Sequence, residues 1–367
     1  MQKKLIALAI AGLAAAPAFA QSNVTIYGYM DMALVNQSGS DGGINVKSSK
    51  TSLNSGVSAG NRLGFKGVEP LGNGTSALFQ HEIQLFSDTG NLTNSGTGAG
   101  GNFGTRNSYV GLTGGWGTAV AGHVDGARFG VACKYDAFAC GTVGQGVSIQ
   151  KHASRADNAI AYISPTWSGF SFIAAYTTNL IGQEAGTSAN GAGNTGDGRL
   201  WAIQPNYTNG PLSLTANFEH LDVKDAATDN GDVSIAVFAG SYDFQVVKVM
   251  GYYENVHTDG TRAWDQRAYT LGATIPVGAN GVIRMNYSKL DDKTVANADC
   301  NKFGIGYKHS LSKRTFVYTD YGRVNNNNGA TCTIATSGSS GSLDNGGAGG
   351  AAGFGTKGFD LGLAHSF

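Results

Sequence analysis

The sequence predicts an all-β protein, a sixteen-stranded antiparallel barrel that spans a membrane. Three observations carry that expectation. First, residues 357–367 put Phe359, Leu361, Leu363, His365 and Phe367 on one face and Gly358, Asp360, Gly362, Ala364 and Ser366 on the other, the period-2 alternation of a strand. Nothing follows to cover the apolar face, so lipid is expected to. Second, past residue 20 no apolar run approaches the roughly 20 residues of a spanning helix, which leaves a closed barrel as the remaining way through a bilayer. Third, 56 glycines among 367 residues, 6 prolines, 10% aromatic and 14% charged residues depart from the composition of a soluble globular protein. A secreted, Gly-rich β-sandwich or adhesin is the competing fold.

Residues 1–20 carry Lys3 and Lys4, an apolar run over 5–16 and Ala18-Phe19-Ala20 as a small-residue cleavage site, the pattern of a secretory signal peptide. Cleavage would leave a single barrel domain over 21–367. Without the two leader lysines the 25 basic groups fall to 23, against 25 acidic ones. That balance argues against a nucleic-acid partner.

The strands follow in order. The first, 24–35, is separated by a Gly/Ser/Asn stretch over 37–60 from the second, 61–69, and Pro70-Leu71-Gly72-Asn73-Gly74 turns tightly into the third, 75–87. There Phe79, Ile83 and Leu85 point outward and Gln80, Glu82 and Gln84 inward, with His81 an outward exception. A polar stretch over 88–104 precedes 105–113 and 116–123. The connection 124–154 leads to 155–164 and 170–178, and a polar stretch over 181–198 leads to 200–207. Thr208-Asn209-Gly210-Pro211 turns into 212–222, where Leu212, Leu214, Ala216 and Phe218 alternate with Ser213, Thr215, Asn217 and Glu219. Strands at 233–242, 246–257 and 267–277 come next. Val277-Gly278-Ala279-Asn280-Gly281 feeds 281–290, with Ile283, Met285 and Tyr287 opposite Arg284, Asn286 and Ser288. Strands at 302–310, 315–324 and 357–367 complete an even set of sixteen, the last two separated by 325–356. Tight turns belong on the periplasmic side and long polar stretches outside. A polar inner face at sixteen strands implies a water-filled lumen. Tyr27, Tyr207, Tyr252, Tyr253, Tyr287, Tyr307 and Phe367 suit interfacial girdles, although the sequence does not separate girdle from pore-lining rings.

Several of these segments carry a family resemblance. Residues 61–69 (Asn-Arg-Leu-Gly-Phe-Lys-Gly-Val-Glu) followed by Leu71-Gly72-Asn73-Gly74, then Tyr109-Val110-Gly111-Leu112, then 155–162 (Arg-Ala-Asp-Asn-Ala-Ile-Ala-Tyr) with Pro165, and Leu311-Ser312-Lys313-Arg314-Thr315, closely resemble the general diffusion porins of Gram-negative outer membranes, the β-proteobacterial type most of all. The resemblance implies a homotrimer in outer-membrane lipid and lipopolysaccharide. It also implies an external loop folded into each lumen, and a terminal aromatic, Phe367, read by the barrel-assembly machinery. The infolded loop would be 124–154, which is richer in apolar residues than the other loops. Arg62, Arg106 and Arg155 would form the wall cluster opposite it, with Asp125 and Asp136 as the facing acids of the pore constriction. Guanidiniums in a narrow, low-dielectric gap bias which ion enters. The bland alternative for each is a solvated rim residue. Arg128, Lys134 and Lys151 in the loop outnumber its two acids, so a modest anion preference is expected; Arg284 adds to the positive wall or is a plain lumen residue.

Four cysteines in an exported chain read as disulfides. Three connectivities are possible; pairing within neighbouring loops favours Cys133 with Cys140 and Cys300 with Cys332. No metal-ligand spacing is present. Residues 96–101 and 353–358 match G-x-G-x-x-G but lie in Gly-rich loops, where a dinucleotide reading has no support. A Ser/His/Asp site assembled across strands is the enzyme alternative, to be recognised by geometry. The expectation is therefore no enzyme and no cofactor, but a passive outer-membrane channel for ions and small hydrophilic solutes. A solute-specific channel and an adhesin-like barrel acting through its loops are the alternatives.

Overall fold

The structure is a computed structural model that describes residues 23–39, 49–90, 106–150, 154–180, 197–224, 231–259, 265–294, 296–336 and 354–367. The expected signal peptide, Lys151, the motif at 96–101 and parts of the four long external stretches lie outside the described residues.

The strands are β1 Asn23–Ser38, β2 Ser49–Ser55, β3 Arg62–Gly72, β4 Thr75–Gln84, β5 Ser108–Gly114, β6 Gly117–Asp125, β7 Arg155–Ile163, β8 Phe170–Thr177 and β9 Asp197–Asn209. They continue as β10 Leu212–Lys224, β11 Val233–Asp243, β12 Lys248–Thr258, β13 Gln266–Val277, β14 Gly281–Asp292, β15 Cys300–Ser310, β16 Thr315–Asn326 and β17 Lys357–Ser366. Consecutive strands from β3 to β17 pair antiparallel. The last strand returns to the first, from Tyr29↔Ser366 to Ser38↔Lys357. Gly28 and Phe367 exchange backbone hydrogen bonds of 3.0 and 3.1 Å. The sheet is closed, so no edge is left to pair with another chain.

Seventeen strand segments make sixteen staves, because β2 and β3 are one interrupted stave. Both pair with β1, β3 along its first half and β2 along its second. The segment containing β2 was expected to be loop. Apart from Leu53, β2 is Ser, Lys, Thr and Asn, so alternation leaves no apolar trace there. The break at Gly56–Asn61 is stapled to Asp31: Gly56 N–H donates to the Asp31 carbonyl at 2.9 Å, and Ser58 N–H donates to Asp31 Oδ2 at 2.6 Å.

Alternation places Ile26, Val110, Ile160, Leu271 and Leu361 on the outer face, all strongly exposed, as lipid-facing positions should be. Asn217, Asn286 and Ser288 point inward and are buried. His81 has a reason to lie outward, since its Nδ1 meets Ser108 Oγ at 2.9 Å on the neighbouring strand. Two expected girdle rings line the lumen instead: the Tyr27 hydroxyl reaches Glu82 and that of Tyr252 reaches Glu254. Nor is the lumen wall uniformly polar. Val120, Ala159, Ala161, Ala202, Val233 and Ile235 make an inner sector that is apolar and buried.

Candidate functional site

The connection from β6 to β7 enters the barrel. It carries one helix, α1 Ala127–Lys134, and a single 3-10 turn at Val147–Ile149, and it follows the inner wall from β10 round to β17. Val131, Ala132, Tyr135, Ala137 and Phe138 pack into the apolar inner sector. Arg128 bridges Glu219 and Glu254 at 3.6 and 3.3 Å. Farther on, Ser148 accepts from Lys302 Nζ at 2.7 Å. Val143 N–H donates to Asp360 Oδ2 at 2.8 Å, and Thr142 N–H donates to the Val57 carbonyl in the break between β2 and β3 at 2.7 Å. Asp360, on the polar face of the last strand, is covered by this loop and fully buried.

A glycine stripe lets the loop lie flat. Gly304, Gly322 and Gly358 are neighbours across β15, β16 and β17. A Cβ on Gly304 would sit 2.1 Å from the Gly144 carbonyl oxygen, and one on Gly322 2.1 Å from that of Val143. Only glycine permits that approach. Both expected disulfides are present: Cys133–Cys140 ties the end of α1 to the following turn, and Cys300–Cys332 ties the start of β15 to the segment after β16, with Cα separations of 4.9 and 6.4 Å.

The wall away from the loop carries the arginines. Arg62 opens β3, Arg155 opens β7, and Arg106 stands just before β5. Glu82 on β4 sits between two of them, 3.6 Å from Arg62 Nε and 3.3 Å from Arg106 Nε. A hydrogen-bond chain aims that carboxylate. Tyr109 donates to Gln80 Oε1 at 2.6 Å, Gln80 Nε2 donates to Tyr27 at 2.7 Å, and Tyr27 donates to Glu82 Oε1 at 2.9 Å. Arg155 Nη1 meets Asp125 Oδ1 at 2.9 Å, and Asn107 holds the other oxygen at 2.9 Å. Burial, reinforced by the Arg155 and Arg62 charges, pulls the Arg106 guanidinium down to about 10, still cationic at neutral pH. Three guanidiniums against two carboxylates leave one surplus positive charge.

The expected acids need correction. Asp125 does not face the arginines across the gap; it is Arg155's partner in the β6–β7 ladder. Asp136 is buried inside the loop, accepting at 2.7 Å each from Phe138 N–H, Gly146 N–H and Asn286 Nδ2. Burial raises its carboxyl, opposed by those hydrogen bonds and by Lys302. It is a staple of the loop rather than a pore charge. Two of the loop's basic residues, Arg128 and Lys134, are similarly engaged. Arg128 is spent on two glutamates, and Lys134 Nζ lies 5.0 Å from the Tyr135 ring centroid and donates to Thr215 at 3.3 Å. Counting loop charges therefore does not locate the surplus charge, which sits on the arginine wall. Arg284 is neutralised too, with Nη2 at 2.8 Å from both Asp320 oxygens. Glu82, Gln80 and Tyr109 were missed as site residues. The inward parity of Gln80 and Glu82 was visible, but not the register that sets them beside arginines of other strands.

Comparison with known proteins adds a family. A family model described as Gram-negative porin matches residues 7–329. Outer membrane porin protein 32 of Delftia acidovorans is 30% identical over 383 residues, covering 100% of both chains. Major outer membrane protein P.IB of Neisseria gonorrhoeae is 28% identical over 363 residues, covering 92% of this chain and 97% of its own. Among solved structures, an anion-selective porin from Comamonas acidovorans superposes with a TM-score of 0.73 at 27% identity, covering 95% of this chain and 100% of that one.

Proposed function

This chain belongs to the Gram-negative porin family, and from that premise we propose that it conducts small anions in preference to cations through the gap between its infolded loop and its arginine wall. It is an outer-membrane channel, and its transport is passive diffusion through the barrel. The surplus positive charge of the Arg62, Arg106 and Arg155 cluster over Glu82 and Asp125 is the observation that carries the selectivity. A fixed charge in a constricted, low-dielectric gap raises the local concentration of counter-ions. The similarity to an anion-selective porin supports the same sign. The mature chain would be residues 21–367 after removal of 1–20. It would assemble as a homotrimer among outer-membrane lipid and lipopolysaccharide, with Phe367 read by the assembly machinery during insertion. Purified protein in a planar bilayer under a salt gradient tests the reading. The expected reversal potential has the sign of anion preference, with closure in three equal steps; cation preference would overturn the selectivity, and closure in single steps the trimer.

A further inference from the structure

On the outward face of the barrel, at its extracellular rim, basic side chains stand beside acids at three places. Arg199 is opposite Asp222 and Arg267 opposite Asp291 in the ladder, and Lys289 Nζ lies 3.9 Å from Asp299. Arg323 of β16 and Lys357 of β17 are arranged differently. Both are exposed, and they are directly opposite each other on the outward parity of Tyr321 and Phe359. Their remaining outward neighbours are neutral too: Phe303 and Asn325 next to Arg323, and Ser38 next to Lys357. Like charges directly opposite destabilise a sheet, and none of these described neighbours offsets the pair.

The pair also stands at the depth of lipid headgroups. Phe367 lies beside the tight turn at Arg314, whose carbonyl accepts from Ser366 N–H at 2.9 Å, so it marks the periplasmic interface. Lys357 is 367 − 357 = 10 residues away. At about 3.4 Å per residue and a strand tilt of about 40° that is roughly 26 Å of height, against about 25 Å for the apolar band of an outer-membrane barrel. Phe359, Leu361 and Leu363 fill the span between on the outward face, 46%, 54% and 50% exposed.

We propose that Arg323 and Lys357 bind the phosphate of an outer-leaflet lipid whose acyl chains run down over Phe359, Leu361 and Leu363. The guanidinium offers a two-pronged grip on phosphate and the ammonium a point charge, so one phosphate relieves the repulsion of both. Their aliphatic stems lie along the rings below while the heads reach the headgroup layer. Free phosphate would meet the charges without the apolar band, and a phosphate-free lipid the band without the charges. The inference rests on the outer-membrane placement above and is independent of ion selectivity.

The test is native mass spectrometry of the detergent-purified protein with three probes: diphosphorylated lipid A, lipid A stripped of both phosphates, and inorganic phosphate. The protein should retain the diphosphorylated lipid at a concentration at least tenfold below the stripped one, and an equal concentration of inorganic phosphate should not displace it. Arg323→Gln combined with Lys357→Gln should abolish that tenfold preference, whereas Arg267→Gln should keep it. Lys357→Gln alone, an exposed change of one charge, should weaken it in the same direction and decides if the double variant does not fold. Equal retention of the two lipids, displacement by inorganic phosphate, or an equal loss in Arg267→Gln would overturn the proposal. So would a change of oligomeric state in the double variant without lipid, which would make this surface a contact between copies of the chain. Absence of current in a planar bilayer would sink the channel reading instead, and the lipid measurement is unaffected by it.

Discussion

Replacing Gly322 with alanine tests whether the glycine stripe sets the position of the constriction. The new Cβ would lie 2.1 Å from the Val143 carbonyl oxygen, and contacts under 3.0 Å are essentially never made, so the loop must retreat by at least about 0.9 Å. The wall is hydrogen-bonded on both sides of Gly322, so the loop is the part that yields, toward the lumen. Overpacking of this kind costs about 1–3 kcal/mol. The retreat also stretches the 2.8 Å bond from Val143 N–H to Asp360, and an intramolecular hydrogen bond is worth roughly 0.5–1.5 kcal/mol net. Gly251→Ala is the control, since nothing lies within 4 Å of its added methyl. Chemical unfolding and single-channel conductance should both separate the variants, with Gly322→Ala less stable by about 2 kcal/mol and its channel narrower. Gly304→Ala presses on the neighbouring Gly144 carbonyl, so the double variant should cost less than the sum. If Gly322→Ala matched Gly251→Ala in both stability and conductance, the docking argument would fail.

Other expectations follow from the same contacts. Glu82→Gln removes the carboxylate shared by Arg62 and Arg106 and should strengthen anion preference. A unit charge about 6 Å from the ion path is worth about 0.7 kcal/mol in a water-like medium, roughly a threefold change in permeability for each ion, read from the reversal potential. Because Arg106 is pulled down to about 10, its charge is present below that pH and lost as pH rises through it. Anion preference should therefore drop more between pH 8 and 11 in the wild type than in Arg106→Gln. Removing the disulfides should cost unequally: the loop-entropy relation gives about 2.5 kcal/mol for Cys133–Cys140 and about 3.7 kcal/mol for Cys300–Cys332, given sequence separations of 7 and 32. Denaturant midpoints of Cys→Ser pairs would check that order. Finally, the Phe367 ring covers Gly28, where a Cβ would lie 2.2 Å from its tip, so Gly28→Val should unseat the terminal aromatic and lower the yield of folded barrel in a refolding assay.

Alternation is a property of adjacent residues, and it was enough to place sixteen staves, their lipid faces and the closing of β17 on β1. It failed at β2, where the polar composition hides the parity, and it did not show the apolar sector of the inner wall. The sequence by itself also set the chemistry available: which arginines begin strands, which loop is long and apolar, and which cysteines can meet. Only the tertiary structure decided what neutralises what. Glu82 lies beside Arg62 and Arg106 because register brings their segments together, Asp136 turns from the pore into the loop because three donors converge on it, Arg128 of α1 meets Glu219 and Glu254 on two strands, and Arg284 meets Asp320 on another. The glycine stripe follows the same rule: Gly304, Gly322 and Gly358 are 18 and 36 residues apart and become one surface only in the closed sheet. Facing is written locally, whereas the net charge and width of a pore depend on contacts between distant segments, which register and loop docking create.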